Sequence, residues 1–359
     1  MILRGNWKRA TRGVLLAAIG AAAVWPLFVA ARQESSSLSL PQEKHLRNVR
    51  QLTFGGENAE AYFSADDKHL IFQSRQDTKS CDQMFTMDVD GSNRRQVSTG
   101  GGRTTCGYFF PDGRHILYAS TRGAGPECPP PPDWSHGYVW KLYAEYEIYK
   151  ARPDGSHVEQ LTHNFGYDAE ATISRDGKHI VFTSLRDGDL DIYTMDPDGK
   201  NVNRLTTELG YDGGPYYSFD GKKIVYRAYH PETPEEIADY KDLLRTYELH
   251  PRRFEIFVMN ADGTEKRQIT HFGAASFAPF FHPDGKRIIF ASNRLDPKGR
   301  NFDLYLINED GTGLEQVTYD PQFDAFPMFS SDGKKLVWAA NRNGKKPGET
   351  NIFIADWVD

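Results

Sequence analysis

Apolar triplets recur along the chain, each after a polar turn: Leu70-Ile71-Phe72, Ile116-Leu117-Tyr118, Ile180-Val181-Phe182, Ile224-Val225-Tyr226, Ile288-Ile289-Phe290 and Leu336-Val337-Trp338. Five of the six follow Asp-Gly and a basic residue, and in the first copy Asp67 takes the place of Gly. Asp-Gly between apolar runs marks a β-hairpin. A second pattern alternates with the first: Asp-Gly, five intervening residues, an aliphatic residue, then Thr or Ser, as in Gly199 to Leu205 and Gly311 to Val317. It occurs five times at constant spacing. The unit is about 45 residues, a length that fits four short strands.

Each unit reads as an inner strand A followed by B, C and D; in the third unit these fall at residues 171–174, 179–183, 191–195 and 203–206. Six triplets against five copies of the second pattern leave one outer strand missing, and Leu52-Thr53, with no Asp-Gly before it, supplies the ending. The expected fold is all-β: a six-bladed β-propeller closed by an N-terminal strand that completes the last blade. Two repeats are longer by about 20 residues, which puts insertions at about residues 125–146 and 230–253, after strand B of blades two and four. B–C and D–A connections share one end of a propeller, so both insertions decorate the same face.

Repeats of the form YDAEATISRDGKHIVFTSLRDGDLDIYTMDPDGKNVNRLT, residues 167–206, resemble the TolB-like propeller repeat, and the resemblance covers roughly residues 48–359. It implies a six-bladed fold, a periplasmic location and protein binding at one end of the channel. TolB proper also carries an α/β domain before its propeller. Here a Ser-rich linker over residues 32–47 is all that is expected between the N-terminal segment and the blades.

That segment has its own pattern. Arg4, Lys8, Arg9 and Arg12 precede an uncharged apolar run from Gly13 to Ala31, the arrangement of an export signal. Pro26 and the small residues at its end fit cleavage, while the length of the run also fits an uncleaved inner-membrane anchor over residues 13–31. Either way, the remainder is expected in the periplasm. The chain carries 43 basic and 49 acidic residues, and four of the basic ones lie in that segment. The acidic excess that remains argues against a nucleic-acid partner. The expected partner is another envelope or membrane protein, with membrane contact through the N-terminal segment only.

Cys81, Cys106 and Cys128 are too few for a disulfide framework or a Cys-rich zinc site, and one bridge with one free thiol suits an oxidising compartment. The pairing stays open, with a bridge from Cys81 or Cys128 to Cys106 favoured by their loop positions.

Aligned copies of strand A give two columns at the channel mouth: Asn58, Thr104, Asp168, Asp212, Ser276 and Asp324, then Glu60, Cys106, Glu170, Gly214, Ala278 and Phe326. Acids concentrate on part of this ring. Glu60, Asp168, Glu170, Asp212 and Asp324 form the candidate site, to hold a cation or receive a basic segment of a partner, unless they cap turns or pair with nearby arginines. No other cofactor is expected. In the first insertion a stiff run, Pro129 to Pro132, precedes Trp134, Tyr138, Trp140, Tyr143 and Tyr146, aromatics that serve either as a contact surface or to pack the loop. In the second, Thr233, Pro234 and Glu236 open a helix whose stripe of Ile237, Tyr240, Leu244 and Tyr247 is expected to dock on its own protein. Arg122, Arg186, Arg294 and Arg342 recur in the B–C loops, and the residue at the start of strand C (Glu147, Asp191, Asp303, Asn351) is the expected partner of each.

After residue 31 the chain holds no Gly-x-Ser-x-Gly elbow, no His-Glu-x-x-His helix and no phosphate-cradling Gly loop. The leading reading is a non-catalytic envelope scaffold that docks another protein through its insertion-bearing face. One rival is a metal-assisted lyase or hydrolase acting on polysaccharide, with the acids plus His163, His230 or His271 as ligands or base. Another is a small-ligand sensor. His230, together with Trp134 and Trp140, joins the acids as a candidate binding residue.

Overall fold

The computed structural model describes residues 38–77, 80–296 and 298–359, so the export signal or anchor expected over residues 1–31 lies outside the described residues. Six antiparallel sheets of four strands form the blades of a β-propeller, and a separate two-stranded sheet joins the insertions. In blade three, Asp168–Ile173, Ile180–Ser184, Asp191–Met195 and Asn203–Arg204 pair in chain order. The B strand of that blade is buried along its whole length, because neighbouring blades cover both of its faces.

Side chains explain the repeat. In the A–B turn Ser174 Oγ donates to Asp176 Oδ1 at 2.7 Å while Gly177 takes φ 73°. Asp67, in glycine's place, adopts φ 57° and accepts a hydrogen bond from Ser331 N at 2.9 Å, which ties the first blade to the last. The recurring Thr or Ser of the second pattern accepts a bond from the backbone of strand C in every blade, as Thr206 Oγ1 does from Ile192 N at 2.9 Å. Each blade also packs an aromatic pair across strands B and C, such as Phe182 with Tyr193 and Trp338 with Phe353.

The ring closes through Leu46–Gln51, which pairs antiparallel with Asn351–Trp357, the C strand of the last blade. His45 stacks on Trp357 with ring centroids 4.6 Å apart. The second half of the expected linker departs from that description: from Leu38 onward it is packed, since Arg342 needs a carboxylate and Glu43 provides one in a buried ion pair at 2.8 Å.

Both insertions lie over one end of the channel and pair with each other. Trp140–Lys141 forms an antiparallel ladder with Glu248–Leu249. Helix α1 (Pro234–Arg245) starts with the expected capping box, in which Glu236 N donates to Thr233 Oγ1 at 3.2 Å. Its Tyr240 is buried, with the hydroxyl bonded to Gly210 O at 2.8 Å, so the stripe docks on its own protein. Tyr143, Tyr146, Tyr240, Leu249 and Phe254 share one apolar cluster that joins the two insertions into a lid.

Two expectations are corrected. The disulfide joins Cys81 to Cys128 with a Cα separation of 5.6 Å, and Cys106 is free. Both bridged cysteines lie in adjacent B–C loops at the rim, whereas Cys106 points into the channel. Two of the four B–C loop arginines, for their part, reach back to strand A: Arg186 bonds Asp168 at 3.1 Å and Arg342 bonds Asp324 at 2.8 Å. Both guanidiniums lie over aromatic rings of their own blades, and Asp191 at the start of strand C is already engaged with strand D through Thr206 at 3.1 Å.

Candidate functional site

The inner strands share a device that builds the mouth. In all six blades the A–B register shifts by one residue, between Ala59 and Tyr62 in the first and at the equivalent place in the others. The bulged residues are Glu60, Cys106, Glu170, Gly214, Ala278 and Phe326, all with φ between 51° and 59°. A bulge in the left-handed region re-aims the side chain, here toward the channel. All six residues line a cavity of about 700 Å3 under the lid. The other column, Asn58 to Asp324, is buried inside the blades.

The five candidate acids therefore part company. Asp168, Asp212 and Asp324 are buried and bonded within their blades to Arg186, His230 and Arg342. Glu60 and Glu170 line the cavity. Burial, reinforced by the charge of Glu170, pushes the Glu60 carboxyl up to about 7. Burial raises the neighbouring Cys106 thiol as well. Glu170 is the hub: its Oε2 accepts from Thr183 Oγ1 at 2.8 Å, Gly214 N at 2.9 Å and Tyr211 OH at 3.0 Å, and its Oε1 pairs with Arg227.

Arg227 was not singled out in the sequence. It is buried, pairs with Glu170 of the neighbouring blade and lies under Trp140, 5.3 Å from that ring's centroid. The signal was present: the residue after each apolar triplet is Gln73, Ala119, Thr183, Arg227, Ala291 and Ala339, and only blade four has a charge there. Gly214, the bulge glycine of the same blade, leaves the space Arg227 occupies, since a Cβ would collide with its guanidinium.

The walls differ in character. Blades five and six contribute a cluster of Phe277, Phe302, Phe323 and Phe326, with Phe277 and Phe302 centroids 4.9 Å apart. Blades one and two contribute Arg75, Arg103 and Asp82, with Arg103 Nη1 3.2 Å from Asp82 Oδ2. The floor is aromatic: Tyr216 OH donates to Tyr62 OH at 2.6 Å, and Tyr108 packs against both rings. Above, Trp140 packs the lid onto Phe254 and Phe277, whereas Trp134 is 59% exposed and Tyr138 is 68% exposed at the opening.

The candidate histidines stay outside the cavity. His163 and His271 are exposed, and His230 Nε2 lies 3.1 Å from Asp212 Oδ1. Among the described residues no three His, Cys, Asp or Glu side chains are grouped to hold a metal ion, so the five acids do not make a cation cluster. No helix among the described residues is long and apolar enough to cross a membrane.

Six closed blades with one lidded mouth define the molecule as a decorated six-bladed β-propeller. The TolB beta propeller domain family matches residues 139–246 and 246–355, more than half of the chain, and the protein belongs to that family. Solved structures agree on the fold. A putative TolB from Agrobacterium tumefaciens is 19% identical with a TM-score of 0.54, over 85% of this chain and 91% of that one. TolB from Acinetobacter baumannii is 18% identical with a TM-score of 0.56, over 84% of this chain and 64% of that one. An oligogalacturonate lyase from Vibrio parahaemolyticus is 14% identical with a TM-score of 0.51, over 86% of this chain and 93% of that one. No curated protein sequence matches the chain.

Proposed function

We propose that the protein is a TolB-like, non-catalytic periplasmic scaffold whose lidded mouth takes up a segment of another envelope protein. The observation that carries this reading is the pairing of Trp140–Lys141 with Glu248–Leu249, which fixes two insertions from different blades over one open, aromatic-walled cavity. Such a cavity suits apolar side chains of an incoming segment. Glu60 offers it a counter-charge. A Lys or Arg brought beside that carboxyl would compensate its burial and draw its raised pKa down.

The lyase reading has no geometric observation of its own, because His230 is committed to Asp212 and the other two histidines lie outside the cavity. The test is affinity purification from the native envelope with wild type and a Glu60→Gln/Trp134→Ala/Tyr138→Ala variant. These side chains line the opening without bracing a blade. One protein recovered with wild type and lost with the folded variant supports docking at the mouth; equal recovery by both places the contact elsewhere.

A further inference from the structure

We propose that the rim of blades five and six, on the insertion-bearing face, rests on the anionic surface of a lipid bilayer. This goes beyond the docking reading and stands whatever the mouth takes up.

Exposed apolar side chains are distributed unevenly. Among the described residues nine large ones are exposed, and seven of these lie in B–C or D–A loops at the lidded end; Val202 and Val358 are the two at the other end. Trp134 and Tyr138 belong to the lid, and Phe165 and Leu209 to the D–A loops on either side of blade three. Phe54, Leu295 and Tyr319 belong to the sector formed by blades five and six and the connection into blade one. Interfacial aromatic and leucine side chains of this kind sit among lipid headgroups.

Charge falls in the same sector. The B–C loops of blades five and six expose Lys298, Arg300, Lys345 and Lys346 in a protein whose overall balance is acidic. Each Lys or Arg held near an anionic leaflet strengthens association by about fivefold. Lys298 and Arg300 share their loop with Leu295, Lys345 and Lys346 lie in the corresponding loop of the next blade, and none of the four is in an ion pair among the described residues.

The path of the chain adds a third, independent observation. Leu38 O accepts a hydrogen bond from Arg342 Nη1 at 2.9 Å, and Glu43 Oε1 accepts from Tyr319 N at 3.2 Å. The polypeptide therefore comes onto the propeller at this rim. Residues 32–37 separate Leu38 from the apolar run that ends at Ala31, and a stretch of that length reaches at most about 20 Å.

The experiment uses the full chain in vesicles of phosphatidylglycerol and phosphatidylethanolamine, compared with phosphatidylcholine vesicles, and reads amide hydrogen exchange. Exchange in residues 293–296 and 343–348 is expected to slow by about tenfold in the anionic vesicles only. The turns at Gly177 and Gly221, at the other end, are expected to be unchanged. A Lys298→Glu/Arg300→Glu/Lys345→Glu/Lys346→Glu variant, shown to be folded by circular dichroism, is expected to lose the protection. Equal exchange in both vesicle types, or equal protection at both ends, overturns the proposal. So does protection that appears only after solubilised envelope proteins are added, which would assign the rim to a protein partner.

Discussion

His230 Nε2 lies 3.1 Å from Asp212 Oδ1, and the pair repeats in blade four what Arg186 with Asp168 and Arg342 with Asp324 do in blades three and six. Each cation stands four residues after the aromatic that ends its apolar triplet, Tyr226, Phe182 and Trp338. His230 also packs edge-on against Phe257, as the arginines lie over their own rings. A residue that reads from the sequence as a ligand or base is thus one copy of a structural brace.

The brace carries a pH signature. Burial lowers the His230 pKa, but the hydrogen bond and charge of Asp212 outweigh it and leave the pKa raised. The protonated pair then stabilises the fold below about pH 6.5, and that contribution fades as pH rises through the raised folded value. An NMR titration of the His230 ring should show a midpoint above 6.5 that falls in Asp212→Asn. A midpoint at or below the ordinary value would remove the brace.

Glu60 works in the opposite sense. Its carboxyl, pushed up to about 7 by burial and then by Glu170, holds its proton in the folded state more tightly than in the unfolded chain. Its share of stability therefore declines as pH rises from about 4.5 to 7. Glu60→Gln should be near neutral at pH 4.5 and stabilising by about 1–3 kcal/mol at pH 8 in urea melts, a gain absent if the carboxyl ionises normally.

Arg227 and Glu170 couple blades three and four beneath the lid. Arg227→Met leaves Glu170 buried without its counter-charge and should cost about 3–5 kcal/mol. Adding Glu170→Gln should recover much of that loss, because the stranded charge is the main penalty. Additive losses in the double variant would show that the two side chains act separately.

The Cys81–Cys128 bridge fastens the first insertion to the rim of blade one. Cys128→Ser should lower stability by about 2–4 kcal/mol and speed amide exchange at residues 134–139, while exchange in the B strands of blades three and five stays unchanged in native conditions. Uniform acceleration through all blades would mean the bridge holds the ring rather than the lid.

The ring was legible because every blade solves the same packing problem. Apolar triplets, Asp-Gly turns and the final Thr each report a local contact, so their repetition carries the blade number and the place of the insertions. The mouth was legible only in part. Aligning strand A found the column from Glu60 to Phe326, but a bulge has no residue signature, so the inward Glu170 and the brace-forming Asp168 looked alike. Contacts between distant repeats were beyond a periodic reading. Trp140–Lys141 and Glu248–Leu249 meet across a whole blade, and short segments of that kind specify no partner on their own. Arg227 could have been found as the one charge in its column.

The most direct test of the account is site-specific photo-crosslinking in intact cells, with the photoreactive residue placed at Tyr138 on the lid and, as a control, at Val202 on the opposite end. Docking at the mouth predicts one discrete protein adduct from Tyr138, lost when Glu60→Gln and Trp134→Ala are added, and none from Val202. The same adducts from both positions, or none from Tyr138, would contradict it.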